Sequence, residues 1–344
     1  MSDRTVPALG ERIVLAHGSG GGLMQSLIKD VFLRYLNSPE LTLLDDAAEL
    51  KIESDHIAFT TDMFVVKPVF FPGGDIGSLA VSGTVNDLLM KGARPHSLSL
   101  SLVLEEGFFM KDLIRIVQSI QRTCIQAEVS VVTGDTKVVG KGEMDGIFIN
   151  TSGLGIIIPG ITVSGTNAQI GDAVIISGTI GEHGVAVMAE RNGLNLKGNI
   201  ASDAAPLNRA VIPFLERFGE AVHALRDPTR GGIAATLNEI AVSSHVTISL
   251  EESALPVSEQ VSAVCELLGF DPLYLPCEGR FMAFVDSAVA HEAVSFLRTM
   301  GNCPMAVMAG KVTDQSDGEV ILETLSGGWR ILDMPAGELL PRIC

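Results

Sequence analysis

The chain has 344 residues, of which 47% are hydrophobic and 19% charged, enough to fill two cores of ordinary size. A formal net charge of −17 excludes nucleic acid and an anionic membrane surface as partners, because either would be repelled. The first eighteen residues lack the charged-then-apolar pattern of a signal, and no apolar run nears the ~20 residues that span a bilayer, so a cytoplasmic protein is expected.

A glycine-rich start, "HGSGGG", precedes alternating strand and helix patterns. "HIAFTT" and "KPVFF" read as strands, and "IGSLAVSGTVNDLLMKGA" as a helix that Gly92 ends. "HSLSLSLVLEE" alternates with period two, the mark of a half-buried strand. A helix carrying Cys124 follows, with Leu113, Val117, Ile120 and Cys124 on one stripe, and then the strands "VSVVTGD" and "GIFINTSGLGIII". The turn-rich "PGITVSGTNAQIGD" reads as a linker. Beyond it, "AVIISG", "VTISL", "RFMAFVD" and "MAVMAGKV" read as strands, and "GGIAATLNEIAVSS" and "AVAHEAVSFLRTM" as helices. Cys265 lies on an apolar helical stripe with Val261, Val264 and Leu268, so it and Cys124 are expected as core residues.

These patterns divide the chain into an N-terminal unit (1–158), a linker (159–172), a C-terminal α+β unit (173–334) and a tail (335–344). Pro335, Gly337 and Pro341 oppose a continued helix, so the tail is expected to be flexible. Extended, it spans roughly 30 Å, enough to carry the last residue, Cys344, into a cleft.

The common nucleotide motifs fail. "GDTKVVGKG" has Asp135 where a P-loop needs its first glycine, and "HGSGGG" has Leu23 where a dinucleotide loop needs its third. What remains is a dispersed set of carboxylates at turns and strand ends: Asp45, Asp46, Asp62, Asp87, Asp135 and Asp227. Several converging from separate loops could hold magnesium, which takes a few carboxylates together with phosphates. Each also has a plain alternative: Asp87 could pair with Lys91 four residues on, and Asp227 before Pro228 could simply start a turn. "DPTRGG" suits a phosphate at a helix start, with Arg230 as an added cation.

The ordered set "DDAA", "TTDMFVV", "GTVNDLLMKGARP", "VTGDTKVV", "FINTSGLG", "SGTIGEHG", "DPTRGG", "CEGR" and "PRIC" closely resembles the HypE family of hydrogenase maturation factors. That family sits in a superfamily of ATP-using enzymes with aminoimidazole ribonucleotide synthetase, selenophosphate synthetase and thiamine-monophosphate kinase. The resemblance implies an α+β two-domain fold whose N-terminal half forms a homodimer through its sheet, with ATP and magnesium in a cleft. It also implies a reaction. A partner carbamoyltransferase, HypF, carbamoylates the terminal cysteine, ATP-driven dehydration turns the amide into a thiocyanate, and the cyanide passes to a HypC–HypD complex that builds the iron centre of nickel–iron hydrogenase.

Carried onto this sequence, the resemblance makes Cys344 the carrier, Lys137 the cation that steadies phosphates and developing charge, and Glu278 the base. Asp62, Asn86, Asp87, Gly134, Asp135, Lys137 and Arg230 would bind ATP, and Asp46, Asp87 and Asp227 the metal. Alternatives stay open: Lys137 as a strand-edge charge, Glu278 paired with Arg280, His183 as a turn residue. A small-molecule kinase or ligase of the same superfamily, or a docking protein read through its C-terminal peptide, are the competing functions.

Overall fold

The computed structural model describes residues 10–194, 200–337 and 340–344. Residues 1–9 of the expected N-terminal unit and positions 338–339 of the expected tail lie outside them.

The helical start runs through α1 (Gly22–Leu27), a π-helical turn at Ile28–Leu33, α2 (Arg34–Leu36) and α3 (Pro39–Leu43). The first sheet follows, in the order β1 (Ile57–Phe64), β6 (Ile147–Ile157), β4 (Ala93–Glu105), β5 (Ser130–Val139). Only the β4–β5 pair is parallel. "KPVFF" yields just β2 (Phe70–Phe71), paired with β3 (Gly74–Asp75); Pro68 has no N–H to give a ladder.

Helix α4 (Ile76–Met90) starts where Asp75 accepts the backbone N–H groups of Gly77 and Ser78 at 2.8 and 3.1 Å, and Gly92 at φ +74° closes its C-terminal end. It is buried almost all round, between the sheet and the second half of the chain. Burying each of Leu79, Val85, Leu88 and Leu89 is worth roughly 1.5–3 kcal/mol. Only Ser78 and Asp87 on this helix keep partial exposure, so a core helix brings one carboxylate to the surface of a cleft. Amphipathic α5 (Met110–Ala127) packs on α4 and buries Leu113, Val117, Ile120 and Cys124, as its stripe requires.

The stretch 159–172 holds no helix or strand. The second sheet runs β13 (Trp329–Ile331), β12 (Glu319–Glu323), β9 (Val246–Glu251), β11 (Val307–Gln315), β7 (Ala173–Ile176), β10 (Met282–Val285), β8 (Val222–Arg226). All its pairs are antiparallel except β12–β9. Its helices are α6 (Glu182–Arg191), α7 (Asn208–Phe218), α8 (Gly232–Ser244), α9 (Glu259–Leu268) and α10 (Ala290–Leu297). The halves interlock: Leu79 and Leu89 of α4 share one core with Leu207 and Phe214. No described helix is long and apolar enough to cross a membrane.

The segment expected as a flexible tail is held here over residues 340–344. Leu340 and Ile343 are buried in the shared core, and main-chain groups of residues 342–344 pair with those of Val65 and Lys67 just after β1.

Candidate active site

Four sets of contacts fix the tail. Val65 N–H donates to the Cys344 carbonyl and Lys67 N–H to that of Arg342, both at 3.1 Å, so the tail continues the edge of β1. Arg191, at the end of α6, donates to the carbonyls of Pro341 at 2.7 Å and Arg342 at 2.6 Å. Arg342 reaches the Val65 carbonyl and pairs with Asp145, which Lys67 also binds. Fully buried His183 lies between Ser202 Oγ, 2.7 Å from Nδ1, and the Ile343 carbonyl, 2.8 Å from Nε2. A carbonyl can only accept, so Nε2 carries the proton and Nδ1 accepts from the Ser202 hydroxyl. Burial holds the His183 imidazole below its ordinary pKa, which keeps it neutral in that role.

This places the Cys344 sulfur in a cavity of about 460 Å³ lined by Met63, Arg230, Tyr274 and Pro276. Arg230 lines the same cavity, and its positive charge acts on the thiol. Burial, with the nearby Glu278 carboxyl, pushes the thiol up to about 12, so the docked sulfur is a thiol and not a thiolate.

Glu278 is 3% exposed, and its Oε1 has no hydrogen-bond partner among the described residues. Burial and the charges of Asp227, Asp203, Asp62 and Asp87 raise it well above the usual carboxylate range. The turn carrying it is built from remote parts. The Asp203 carboxylate accepts the N–H groups of Glu278 and Gly279, each at 3.2 Å, and a Cβ at Gly279 would stand 1.8 Å from the Asp203 carbonyl oxygen. Only glycine fits there, which is the physical content of "CEGR". Arg280 turns away to Glu182 at 2.8 Å, leaving Glu278 free of it.

Asp87 emerges from α4 beside Thr60, whose hydroxyl donates to it at 2.8 Å, and beside Asp62. Burial, Asp227 and Asp62 raise Asp87 to about 7, and burial with Asp62 raises Asp227 to about 6. Lys91 does not pair with Asp87; its ammonium donates to the Val163 carbonyl. Asp87 and Asp227 line a second cavity of about 830 Å³ that opens between β1, α4 and the end of β8. The carboxylates therefore border one cavity and the cysteine with Arg230 the other.

The remaining sequence candidates stand apart. Asn86, 1% exposed, bonds the Ala205 and Glu278 carbonyls and the Leu207 N–H through its amide, so it clamps α4 to the 203–207 stretch. Asp46 is exposed, and its neighbour Asp45 borders a cavity of about 170 Å³ with Gly134 and Asp135. Lys137 pairs with Asp135 at 3.0 Å. The strand registers place Asp135 and Lys137 on the sheet face away from α4, and Thr60 and Asp62 on the face toward it. Sequence reasoning missed Arg191, Ser202 and Asp203, which act through main-chain carbonyls, the His183 ring and remote N–H groups respectively.

Comparison with known proteins fits this arrangement. Residues 44–157 match the family model of the AIR synthase related protein N-terminal domain, and residues 169–323 that of its C-terminal domain. The carbamoyl dehydratase HypE of Azotobacter vinelandii is 44% identical over 332 residues, 96% of this chain and 97% of that one. The chain belongs to the HypE family. A solved structure of a HypE hydrogenase maturation protein in complex with ATP matches with TM-score 0.93 and 45% identity, covering 96% of this chain and 99% of that one. A HypE chain from a HypE–HypF complex matches with TM-score 0.79 and 45% identity over 90% of this chain and all of that one.

Proposed function

We propose that the chain is an ATP-dependent carbamoyl dehydratase of hydrogenase maturation that works on its own Cys344. The observation that carries this reading is the docking of Cys344 beside Arg230 and the unpartnered Oε1 of Glu278, next to the Asp62–Asp87–Asp227 carboxylates. A thiol carbamoylated at that position holds its amide where a buried base of high proton affinity can take protons from nitrogen. ATP supplies the phosphoryl group that makes the amide oxygen a leaving group, so S–C(=O)NH₂ becomes S–C≡N as ADP and phosphate form. Arg230 steadies the sulfur, and His183 and Arg191 fix the approach of the tail. A thiocyanate sulfur is then a competent leaving group for handing on cyanide.

Magnesium suits the carboxylates. Asp227 and Asp62 raise the pKa of Asp87, and Asp62 that of Asp227, the condition a bound cation relieves. Among the described residues no three His, Cys, Asp or Glu side chains are placed to hold a metal together, and magnesium needs only one or two carboxylates when phosphates supply the rest. Asp87 and Asp227 would hold it, and Asp46 would join by movement of its exposed segment.

A homodimer would complete the site. The open face of the first sheet carries Ile57, Phe59 and Met63 at 50, 70 and 52% exposure along one edge, and Asp135 with Lys137 along the other. A two-fold axis along the strands stacks β1 of one copy over β5 of the next, covering the apolar face and bringing the second copy's Lys137 toward the first copy's cleft. HypF as carbamoyl donor is supported by the relative crystallised with it; acceptance of cyanide by a HypC–HypD complex, in the cytoplasm, follows from the resemblance.

Intact-mass spectrometry after incubation with HypF, carbamoyl phosphate and ATP tests the reading. A mass gain matching one carbamoyl group, then an ATP-dependent loss of one water, is expected; a carbamoylated protein whose mass ATP leaves unchanged overturns it.

A further inference from the structure

On the far side of the 202–206 stretch lies a pocket of about 380 Å³ that the reaction does not use. Its rim carries Arg115 and Arg122 from one face of α5, and its floor includes Ser82 and Thr123. Three features set it apart from an ordinary polar dent. Neither arginine has a carboxylate within ion-pair distance among the described residues, in a chain of net charge −17. Arg115 sits over the Phe70 ring, Cζ 3.9 Å from its centroid, a contact that restrains the guanidinium. Ser82 is 0% exposed and its hydroxyl has no hydrogen-bond partner among the described residues, an unfavourable condition that a ligand would relieve.

Asp75, the one carboxylate in the wall, is occupied as the N-cap of α4 by Gly77, Ser78 and Ser119. Its Oδ1 is thereby engaged, and its charge acts on Arg122 without the two coming within ion-pair distance. Two unpaired guanidinium groups over a free hydroxyl match a tetrahedral oxyanion, which can accept from both forks at once.

We propose that this pocket binds a small phosphate-type oxyanion, gripped by Arg115 and Arg122 with the Ser82 hydroxyl beneath it. The site adjoins the tail machinery. Ala204 and Pro206 line the pocket, while Ser202 and Asp203 of the same stretch hold His183 and the 278–279 turn. The proposal does not depend on the dehydratase reading.

Inorganic phosphate is the probe, titrated by calorimetry and by ³¹P line broadening into full-length protein whose nucleotide site is saturated with a non-hydrolysable ATP analogue and magnesium. Ionic strength is matched with chloride. Saturable binding is expected in the native protein, weakened at least about tenfold in R115Q/R122Q and about two- to fivefold in S82A, with melting temperatures showing that the variants fold. Acetate should compete poorly. A phosphate monoester such as glycerol phosphate binding more tightly than phosphate would assign the site to a phosphorylated metabolite, and equal binding to free phosphate. No saturable binding to the native protein, or the same affinity in R115Q/R122Q, or acetate matching phosphate, overturns the proposal.

Discussion

Nε2 of His183 stands 2.8 Å from the carbonyl oxygen of Ile343, one residue before the cysteine proposed to carry the chemistry. The contact crosses from α6 to the tail and ties a buried neutral imidazole to the placement of a sulfur atom. Its ring also meets Phe71 edge-on at a 5.5 Å centroid distance, so the imidazole cannot swing away without repacking.

His183→Ala should raise the undocked fraction of the tail about tenfold, the cost of one buried hydrogen bond. Carboxypeptidase release of Cys344, normalised to a free peptide of the last residues, reads this directly, and nucleotide affinity should stay unchanged. The native protein should show the same loosening as pH falls. Burial depresses the docked imidazole's pKa, so docking is strongest above the free value of ~6.5 and weakens as pH drops through it. Equal release at pH 6 and 8 would argue against His183 as the anchor.

Cys344→Ala should abolish the mass change while leaving ATP binding nearly intact, because the thiol is substrate and not scaffold. Lost nucleotide affinity in that variant would count against the assignment.

Glu278→Gln should slow dehydration by about a hundredfold or more, the range expected for loss of a general base, and leave carbamoylation by HypF unaffected. The fold should tolerate it, since glutamine keeps the size of the side chain and removes one buried charge beside Asp227, Asp203, Asp62 and Asp87. Normal dehydration in this variant would reassign the base.

The aspartates predict a pH dependence of stability. An unfolded aspartate ionises near ~3.9, whereas Asp87 is raised to about 7 and Asp227 to about 6 in the fold. A raised folded pKa favours the protonated form, so the stabilisation is complete below ~4 and is lost as pH rises through 6 to 7. The melting temperature should fall between pH 5 and 8, magnesium with ATP should reduce that fall, and Asp87→Asn should flatten it while weakening magnesium–ATP binding. A melting temperature unaffected by magnesium and ATP at pH 8 would remove these residues from the metal set.

If the site spans two copies, mixing inactive Lys137→Ala and Cys344→Ala proteins under subunit exchange should restore about a quarter of native activity, since half the dimers are mixed and each has one intact site. No recovery despite confirmed exchange would place Lys137 and Cys344 in the same copy's site.

Much of this was readable in advance where a residue's neighbours are local. The α4 helix and its stop at Gly92, the alternation of β4 and the buried stripes around Cys124 and Cys265 follow from periodicity and turn chemistry. The candidate site was less legible, because its parts are assembled across the chain. Asp203 in "ASDAAPLN" carries no local signal, yet it builds the turn beneath Glu278. Asn86 and Asp87 are adjacent in sequence, but helical geometry sends one into the domain clamp and the other into the cleft. Pattern alone also suggests a loose tail; Leu340 and Ile343 supply apolar surface that two prolines and a glycine conceal in the sequence.

In the proposed reaction, the pairing of the tail with Val65 and Lys67 would govern how an acceptor collects its cargo. Peeling residues 342–344 away strips two amides and a carbonyl of their partners together, and uncovers the groove that Ile343 filled. Departure is therefore an abrupt, cooperative event, in which an incoming protein that offers its own edge to the vacated backbone could compete strand for strand.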